Sequence, residues 1–562
     1  MANENKIVEE FTALLDKSKQ LFNGMRELPQ FGHYHWQNYF AKTFDVYTKL
    51  WKFQQKHRQI LDNKLSLKRW QIGEIASKIG QLYYHYYLRT SDVTYLLESY
   101  SFYRAIHGRA YYNKAVKEEK PDIMIKKLRY YARFIVVCLL LRKTDTLSDL
   151  VTELSRCVDE YVEHYEVKEG GEWQIVLKEI HSFLAADGLF QIIKDDGATL
   201  MIQNRLKSQT IPIASGSFGT KLKLTDVIIV GNCTKQVKFS ELTIDMYRML
   251  QVVEYVSSKF ESTTNEIMTK NDTKAEEKQN ETTEDNKSTK NKNPHKCLLY
   301  RPTFFQLYAF LSSTFKELPA NSIALIYISA DGSPKVNLSE HDGYYDAGGV
   351  STLNKNNSTN SPSKTRASQV RDSNCLHPED LIPFSRKPMF IIIESDNGIA
   401  FSNFPQLFGQ PLVCLMSPVT IPATFSEKSH LYGNFFTMFL HCPLMGFCYI
   451  CEISEIQHNT WEECETIFQD IWQTIATNIE NCPTLGFSFR QFIHDEFLRL
   501  LIYRYIFCYC TLSLHKLFKN TNYYPICYPK MPAKLTEAVN LKSLVLKLAK
   551  VLNAGQYIYQ ET

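Results

Sequence analysis

At 562 residues, with 44% apolar and 22% charged side chains, the chain is too long for one hydrophobic core and too apolar to be disordered throughout. Length alone suggests two to four domains. The formal net charge is only +4, but residues 51–143 carry 19 Lys and Arg against 7 Asp and Glu, and residues 144–190 carry 3 against 11, which suggests either a solvated helical surface or a basic face for an acidic partner or phosphates.

The N-terminus, MANENKIVEEF, has no basic start followed by an apolar run, so no secretory signal is expected. The 14 cysteines are then expected to stay reduced. Most lie in apolar runs, such as Cys138 in FIVVCLLL and Cys508 with Cys510 in YIFCYCTL, where a thiol behaves as a small core hydrophobe.

Residues 1–190 read as helices almost throughout. Phe40, Phe44, Tyr47 and Trp51 recur at helical spacing, as do Leu147, Leu150, Val151, Leu154, Val158 and Tyr161. Between them, Leu67–Thr90 places Ile72, Ile75, Ile79, Leu82, Tyr83 and Tyr86 on one stripe and carries no nucleophile or metal ligands. Ile79-Gly80-x-x-Tyr83 matches the small-residue contact of a tetratricopeptide hairpin, with Ser101–Ile106 as its second helix. The segment Lys126–Leu141 is apolar on two faces, Leu128, Tyr131, Ile135 and Cys138 on one and Tyr130, Phe134, Val137 and Leu141 on the other. It is expected at the centre of a bundle. A helical, partly tetratricopeptide-like domain is therefore expected over 1–190.

From 191 to 562 the pattern changes. Short apolar runs at Thr199–Gln203, Asp226–Asn232, Ile323–Ser329, Met389–Ser395 and Pro411–Pro418 suit strands buried on both faces. Helical segments at Ser240–Phe260, Pro302–Leu318 and Gly398–Leu407 separate several of them, and further helices are expected around 460–480, 490–519 and 540–552. The alternation predicts an α/β domain with a mainly parallel sheet. Residues 261–295 and 331–374 are polar, without apolar periodicity, and are expected to be disordered insertions. Ser429–Cys451 has no formally charged residue and is long enough to cross a bilayer, but Asn434, His441 and Pro443 within it favour a buried core segment.

Several motifs invite chemistry and lack its companions. Gly216-Ser-Phe-Gly219 resembles the end of a kinase glycine loop, but no catalytic loop or metal-binding Asp-Phe-Gly follows, so a flexible turn is expected. Ser313-x-x-Lys316 stands in an amphipathic helix without the other β-lactamase motifs. Cys448-x-x-Cys451, with His441 and Cys442 upstream, sits among Phe447, Tyr449 and Ile450, where core cysteines are expected over zinc ligands. Glu394-Ser-Asp396-Asn-Gly398 follows a strand, where ligand crevices of α/β folds form. It is similar to the metal-ion-dependent adhesion site of von Willebrand A-type domains, with Glu394 and Gly398 where that motif has Asp and Ser. A polar strand terminus is expected, and a nucleotide- or metal-binding enzyme using the crevice near Glu394 and Asn232 is the catalytic alternative. Overall the chain reads as a non-enzymatic interaction protein with no cofactor.

The residues proposed to touch a partner are Lys64, Lys68, Arg69, Lys126, Lys127, Arg129 and Arg133, from the basic, aromatic stretch. Docking of an acidic or amphipathic protein segment is favoured there over direct nucleic-acid binding, because no DNA-reading fold is evident.

Leu15–Gln30, Phe44–Asn63, Leu67–Thr90 and Lys126–Leu141, with Val227–Leu242, Asn293–Leu311, Lys387–Asn397, Leu407–Pro418 and Asp495–Cys508, closely resemble the suppressor of cancer cell invasion family. The likeness runs over most of the chain and departs around 260–295 and 331–374. It implies a nuclear and cytoplasmic transcriptional corepressor that binds the myocardin-related transcription factor and serum response factor complex and restrains cell migration. A chromatin-associated scaffold in DNA double-strand-break repair is the alternative within the class of binding proteins.

Overall fold

Ile, Val and Leu dominate the strand runs because both faces of the central sheet are covered. In the computed structural model its six strands are β1 (Lys223–Asn232), β2 (His295–Tyr300), β3 (Ser322–Ala330), β4 (Met389–Glu394), β5 (Leu412–Met416) and β6 (Ile526–Tyr528). The structure describes residues 2–112, 121–165, 170–200, 202, 204–207, 211–212, 221–256, 292–333, 347–353, 374–405 and 407–559. The spatial order is β2-β1-β3-β4-β5-β6. The first five strands run parallel and β6 pairs antiparallel with β5. Register places Ile326 of β3 between Ile228 of β1 and Ile391 of β4.

Period-two alternation divides the strand side chains between two cores. Val227, Ile229, Leu325, Tyr327, Phe390 and Ile392 face one, while Ile228, Val230, Ile326, Ile328, Ile391 and Ile393 face the other. On the first face lie α9 (Ile244–Val252), α11 (Phe435–His441), α12 (Pro443–Ile450), α13 (His458–Glu480), α14 (Glu496–Leu514) and α15 (Val539–Val551). The second face is covered by α10 (Phe304–Glu317) and the 3₁₀ segment Pro378–Arg386. Asp495 fixes the start of α14, its carboxylate accepting from the N–H groups of Phe497 and Leu498 and from Leu224 of β1.

The N-terminal region is built from α1 (Ala2–Gly24), α2 (His33–Lys56), α3 (Arg58–Leu65), α4 (Arg69–Thr90), α5 (Val93–Gly108), α6 (Pro121–Leu141), α7 (Thr144–Tyr165) and α8 (Gly170–Asp187). As its two apolar stripes require, α6 is buried on both sides, with Leu128, Ile135, Cys138, Phe134 and Leu141 fully enclosed. One continuous core runs from α4–α8 to the sheet and the C-terminal helices. A separate aromatic cluster, including Phe11, Phe22, Trp36, Phe40 and Tyr47, joins α1, α2 and α4.

Gly80 makes the close approach its position suggested. A Cβ added there would lie 3.2 Å from the Tyr103 ring of α5, and Ser99 Oγ donates to the Gly80 carbonyl at 2.8 Å. This single contact does not make a tetratricopeptide array. Gly80→Val is expected to cost about 2 kcal/mol by overpacking, measured by urea unfolding, and the loss should shrink in a Tyr103→Ala background.

Several expectations change. The end of the expected insertion is ordered: β2 begins at His295, and just before it Asn293 Oδ1 accepts from the Tyr255 N–H at 2.8 Å. The polar stretch 331–374 contributes a small antiparallel sheet, in which Gly349–Ser351 pairs with Gly332–Ser333 and with Cys375–Leu376. The remainder of both expected insertions lies outside the described residues, as does Gly216–Gly219. Of the run at 199–203, Thr199–Leu200 forms a strand, while Met201 and Gln203 lie outside the described residues, and the segment from Gly398 is a 3₁₀ turn ending at Ser402. Ser429–Cys451 is broken at Cys442–Pro443 into the short α11 and α12, both buried in the core. Among the described residues one helix is long and apolar enough to span a membrane, α14, itself mostly buried among its neighbours.

Candidate functional site

Two recesses collect the polar residues picked out above. One is a groove among α1, α2, α4 and α6, with a volume of about 430 Å³. Its apolar wall includes Phe11, Leu15, Phe22, Tyr47, Trp70 and Ile75, and its cations are Lys19, Lys78 and Lys126. Helical periodicity explains the placement: Trp70, Glu74 and Lys78 recur every four residues along one side of α4. Lys126 Nζ pairs with Glu74 Oε2 at 2.8 Å and stands 5.0 Å from the Trp70 ring centroid. Lys78 Nζ lies 4.2 Å from the Phe22 ring centroid. Burial pushes the Lys78 ammonium down to about 8, with Arg133, Arg26 and Lys126 adding to the shift and Glu74 opposing it. The indole N–H of Trp70 is buried with no acceptor among the described residues. An apolar trough with three ammonium groups and one carboxylate suits an amphipathic segment bearing acidic side chains.

The seven predicted contact residues do not form one row. Lys126 lines the groove, and Lys68 and Arg69 lie at the start of α4, next to its lining residues Trp70 and Gln71. Arg69 donates to the Arg109 carbonyl at 2.6 Å and remains exposed. Lys64 faces Glu4 at 3.4 Å, and Arg129 is exposed on α6. Lys127 turns inward, is 9% exposed and acts on the Cys157 thiol, so it presents no charge at the surface. Arg133 lines a different cavity, beside the sheet edge. Lys19 and Lys78 were not foreseen, because only the packing of α1 on α4 brings them together.

The second recess, about 480 Å³, lies at the carboxyl edge of the sheet, where the chain reverses its direction of strand addition between β1 and β3. Cys233, Asp331, Glu394, Ser395, Asp396 and Ser417 line it. Glu394 does not point out as an adhesion-site ligand would. Its Oε2 accepts from the N–H of Thr437 at 3.0 Å and from the Thr437 hydroxyl at 2.8 Å. Burial and the neighbouring Asp245 raise its carboxyl to about 8, so the neutral acid predominates at pH 7. Asp245 is fully buried against Arg248, 3.7 Å away, and accepts from Gln236, Ser329 and Asn434. Asp396 accepts from the Gly332 N–H, and Asp331 from the Thr234 N–H and hydroxyl. Asn232 is buried, its amide donating to the Ser351 carbonyl. Among the described residues no group of three or more His, Cys, Asp or Glu is arranged to hold a metal ion.

Burial pushes the Cys233 thiol well above its ordinary range, the nearby Asp245 adding to the shift, so it is no activated nucleophile. Cys448 and Cys451 are likewise buried and protonated.

Comparison with known proteins agrees with the resemblance read from the residues. A family model described as "Protein SCAI" matches residues 13–518. The human protein named Protein SCAI is 48% identical, the match covering 100% of this chain and 90% of that protein, and the mouse protein of the same name is 47% identical with the same coverage. A Dictyostelium discoideum protein named Protein SCAI homolog is 34% identical, covering 98% of this chain and 90% of its own length. No solved structure matches. A family match over nearly the whole chain, with full-length relatives at this identity, makes the chain a member of the SCAI family.

Proposed function

We propose that this chain is a regulatory interaction protein, a corepressor that binds the complex of myocardin-related transcription factor with serum response factor and blocks activation by occlusion, in nucleus and cytoplasm. Kinship with the SCAI family supports a regulatory role over an enzymatic one. The observation that carries the physical side of the proposal is the α1–α2–α4–α6 groove, an apolar trough edged by Lys19, Lys78 and Lys126. Grooves of this kind take amphipathic helices whose apolar residues recur at i, i+3/i+4 and i+7. Acidic residues on such a helix would meet the ammonium groups and leave the apolar side on Phe22 and Trp70. No bond chemistry is needed.

The test is a binding assay with purified coactivator, followed by a serum-response reporter assay. Charge reversal at Lys68, Arg69 and Lys126 together is expected to weaken binding by about tenfold or more and to relieve repression. Circular dichroism should be little changed, since Lys68 and Arg69 are exposed, and the thermal midpoint should fall only by the loss of the Lys126–Glu74 pair, which the Lys126→Glu single variant measures alone. Binding and repression that survive all three reversals would remove the groove as the docking site. Co-precipitation that appears only after DNA damage would favour the repair scaffold instead.

A further inference from the structure

The cavity where α4 and α6 meet the edge strand β2 has a composition that neither packing nor the proposed corepressor groove uses. It measures about 260 Å³, and its polar lining includes Gln81, His85 and Arg89 from α4, Arg133 from α6, and Glu241 and His295 beside the sheet. The backbone around it is held firmly. His295 Nε2 bonds the Arg89 carbonyl at 2.9 Å, and the Lys296 N–H donates to Ser91 Oγ at 2.7 Å, so the end of α4 is tied to β2.

The cations facing this space are poorly compensated. Arg89 stacks over Phe40, 5.0 Å from the ring centroid, its Nε is buried with no acceptor, and no described carboxylate lies within ion-pair distance. Arg133 has neither a hydrogen bond nor an ion pair with the described residues. His85 lies in the field of both guanidinium groups, which add to the effect of burial in keeping its imidazole neutral down to about pH 4. The single carboxylate of the lining is Glu241. Gln81 Oε1 is buried without a donor, and turning the amide over places its NH₂ there instead. A half-buried guanidinium without a counter-charge is costly, and the cost is removed when an anion supplies several acceptor oxygens at once.

From this arrangement we infer that the α4–α6–β2 cavity is a binding site for a phosphate group, held by the guanidinium groups of Arg89 and Arg133. Two forked donors in the lining of one pocket suit a tetrahedral oxyanion with three or more free oxygens. A seam between packed layers is a common place for a small-molecule site. The phosphate is either free or carried on a small organic anion, and the probes below separate these sources. Occupancy would stabilise the seam between the N-terminal helices and the sheet, because the ligand binds only the folded arrangement.

The experiment uses the purified full chain, with thermal unfolding and isothermal titration calorimetry in inorganic phosphate, pyrophosphate or inositol hexakisphosphate, each against potassium chloride of equal ionic strength. At least one phosphate probe is expected to raise the midpoint by about 2 °C or more over chloride. Arg133→Gln should weaken that binding by about tenfold. Arg133 is the useful variant, since Arg89 also packs on Phe40 and its loss can disturb folding. Lys52→Gln with Lys56→Gln, on exposed positions of α2, should bind as the unaltered chain does. Stabilisation by inorganic phosphate marks a free-phosphate site, and stabilisation by inositol hexakisphosphate alone marks a carried phosphate. No gain over chloride, unchanged binding by Arg133→Gln, or equal loss in the Lys52/Lys56 variant would overturn the inference.

Discussion

Glu254→Ala is expected to destabilise the fold by about 3–5 kcal/mol, the range for stranding a buried charge, measured as a shift in the urea or guanidinium midpoint. Glu254 sits just beyond α9 and is 1% exposed. Its carboxylate pairs with Lys296 Nζ of β2 at 2.9 Å and with Arg205 Nε at 2.9 Å, and it accepts from the Tyr87 hydroxyl of α4 at 3.3 Å. Arg205 in turn donates to the Leu140 carbonyl of α6. One carboxylate thus ties α4, α6 and the sheet edge together, and removing it leaves two buried cations facing each other. Lys296→Met should rescue part of the loss in Glu254→Leu, because two apolar groups avoid the stranded charge. Burial alone would raise the Glu254 carboxyl, but Lys296 and Arg205 more than offset it and hold it below the ordinary 4.5. Its contribution is therefore present above pH 4.5 and lost as pH falls through the depressed folded value. An acid limb that is unchanged in Glu254→Gln would contradict this assignment.

Glu394→Gln is expected to have the opposite pH signature. With its carboxyl raised from 4.5 to about 8, folded Glu394 keeps a proton that the unfolded chain releases. That contribution is fully present below pH 4.5 and is lost as pH rises through 8. The unaltered chain should therefore lose about 3 kcal/mol between pH 5 and 9, at 1.36 kcal/mol per pKa unit and allowing for relaxation of the site. Glutamine is neutral throughout, and its carbonyl can accept from the N–H and hydroxyl of Thr437 as the carboxyl does. The variant should match the original near pH 6 and exceed its stability at pH 9 by about 1–3 kcal/mol. Burial raises the Asp245 carboxyl as well, with Arg248, Gln236 and Asn434 opposing the shift. Denaturation curves at pH 6 and 9 decide the matter: a variant weaker at both values would mean that Glu394 is charged in the folded chain.

The central sheet was legible because its strands are covered on both faces. Val227–Val230, Ile323–Ile328 and Met389–Ile393 therefore read as unbroken apolar runs. The edge strands were not. In β2, exposure alternates unevenly and the strand directly follows a long polar stretch, while β6 has only three residues, all partly exposed. In the groove, Lys126 was legible as part of a basic cluster, but Lys78 reads as one ordinary cation on α4. Its depressed pKa comes from burial at the α1–α4 junction and from Arg133 on α6. Lys127 illustrates the converse, a charge counted with its neighbours that the rotation of α6 carries into the interior.

Local periodicity and residue order were enough to determine the helical N-terminal third, the parallel strands and the family to which the chain belongs. Only the tertiary structure decided which charged groups are paired, stranded or neutral: Glu254 meets Lys296 from 42 residues away, Glu394 meets Thr437 from 43, and Arg89 of α4 and Arg133 of α6 line one cavity. The reason is physical. A periodic pattern depends on neighbours within a turn or two, whereas desolvation and charge pairing depend on which distant segments pack against a side chain.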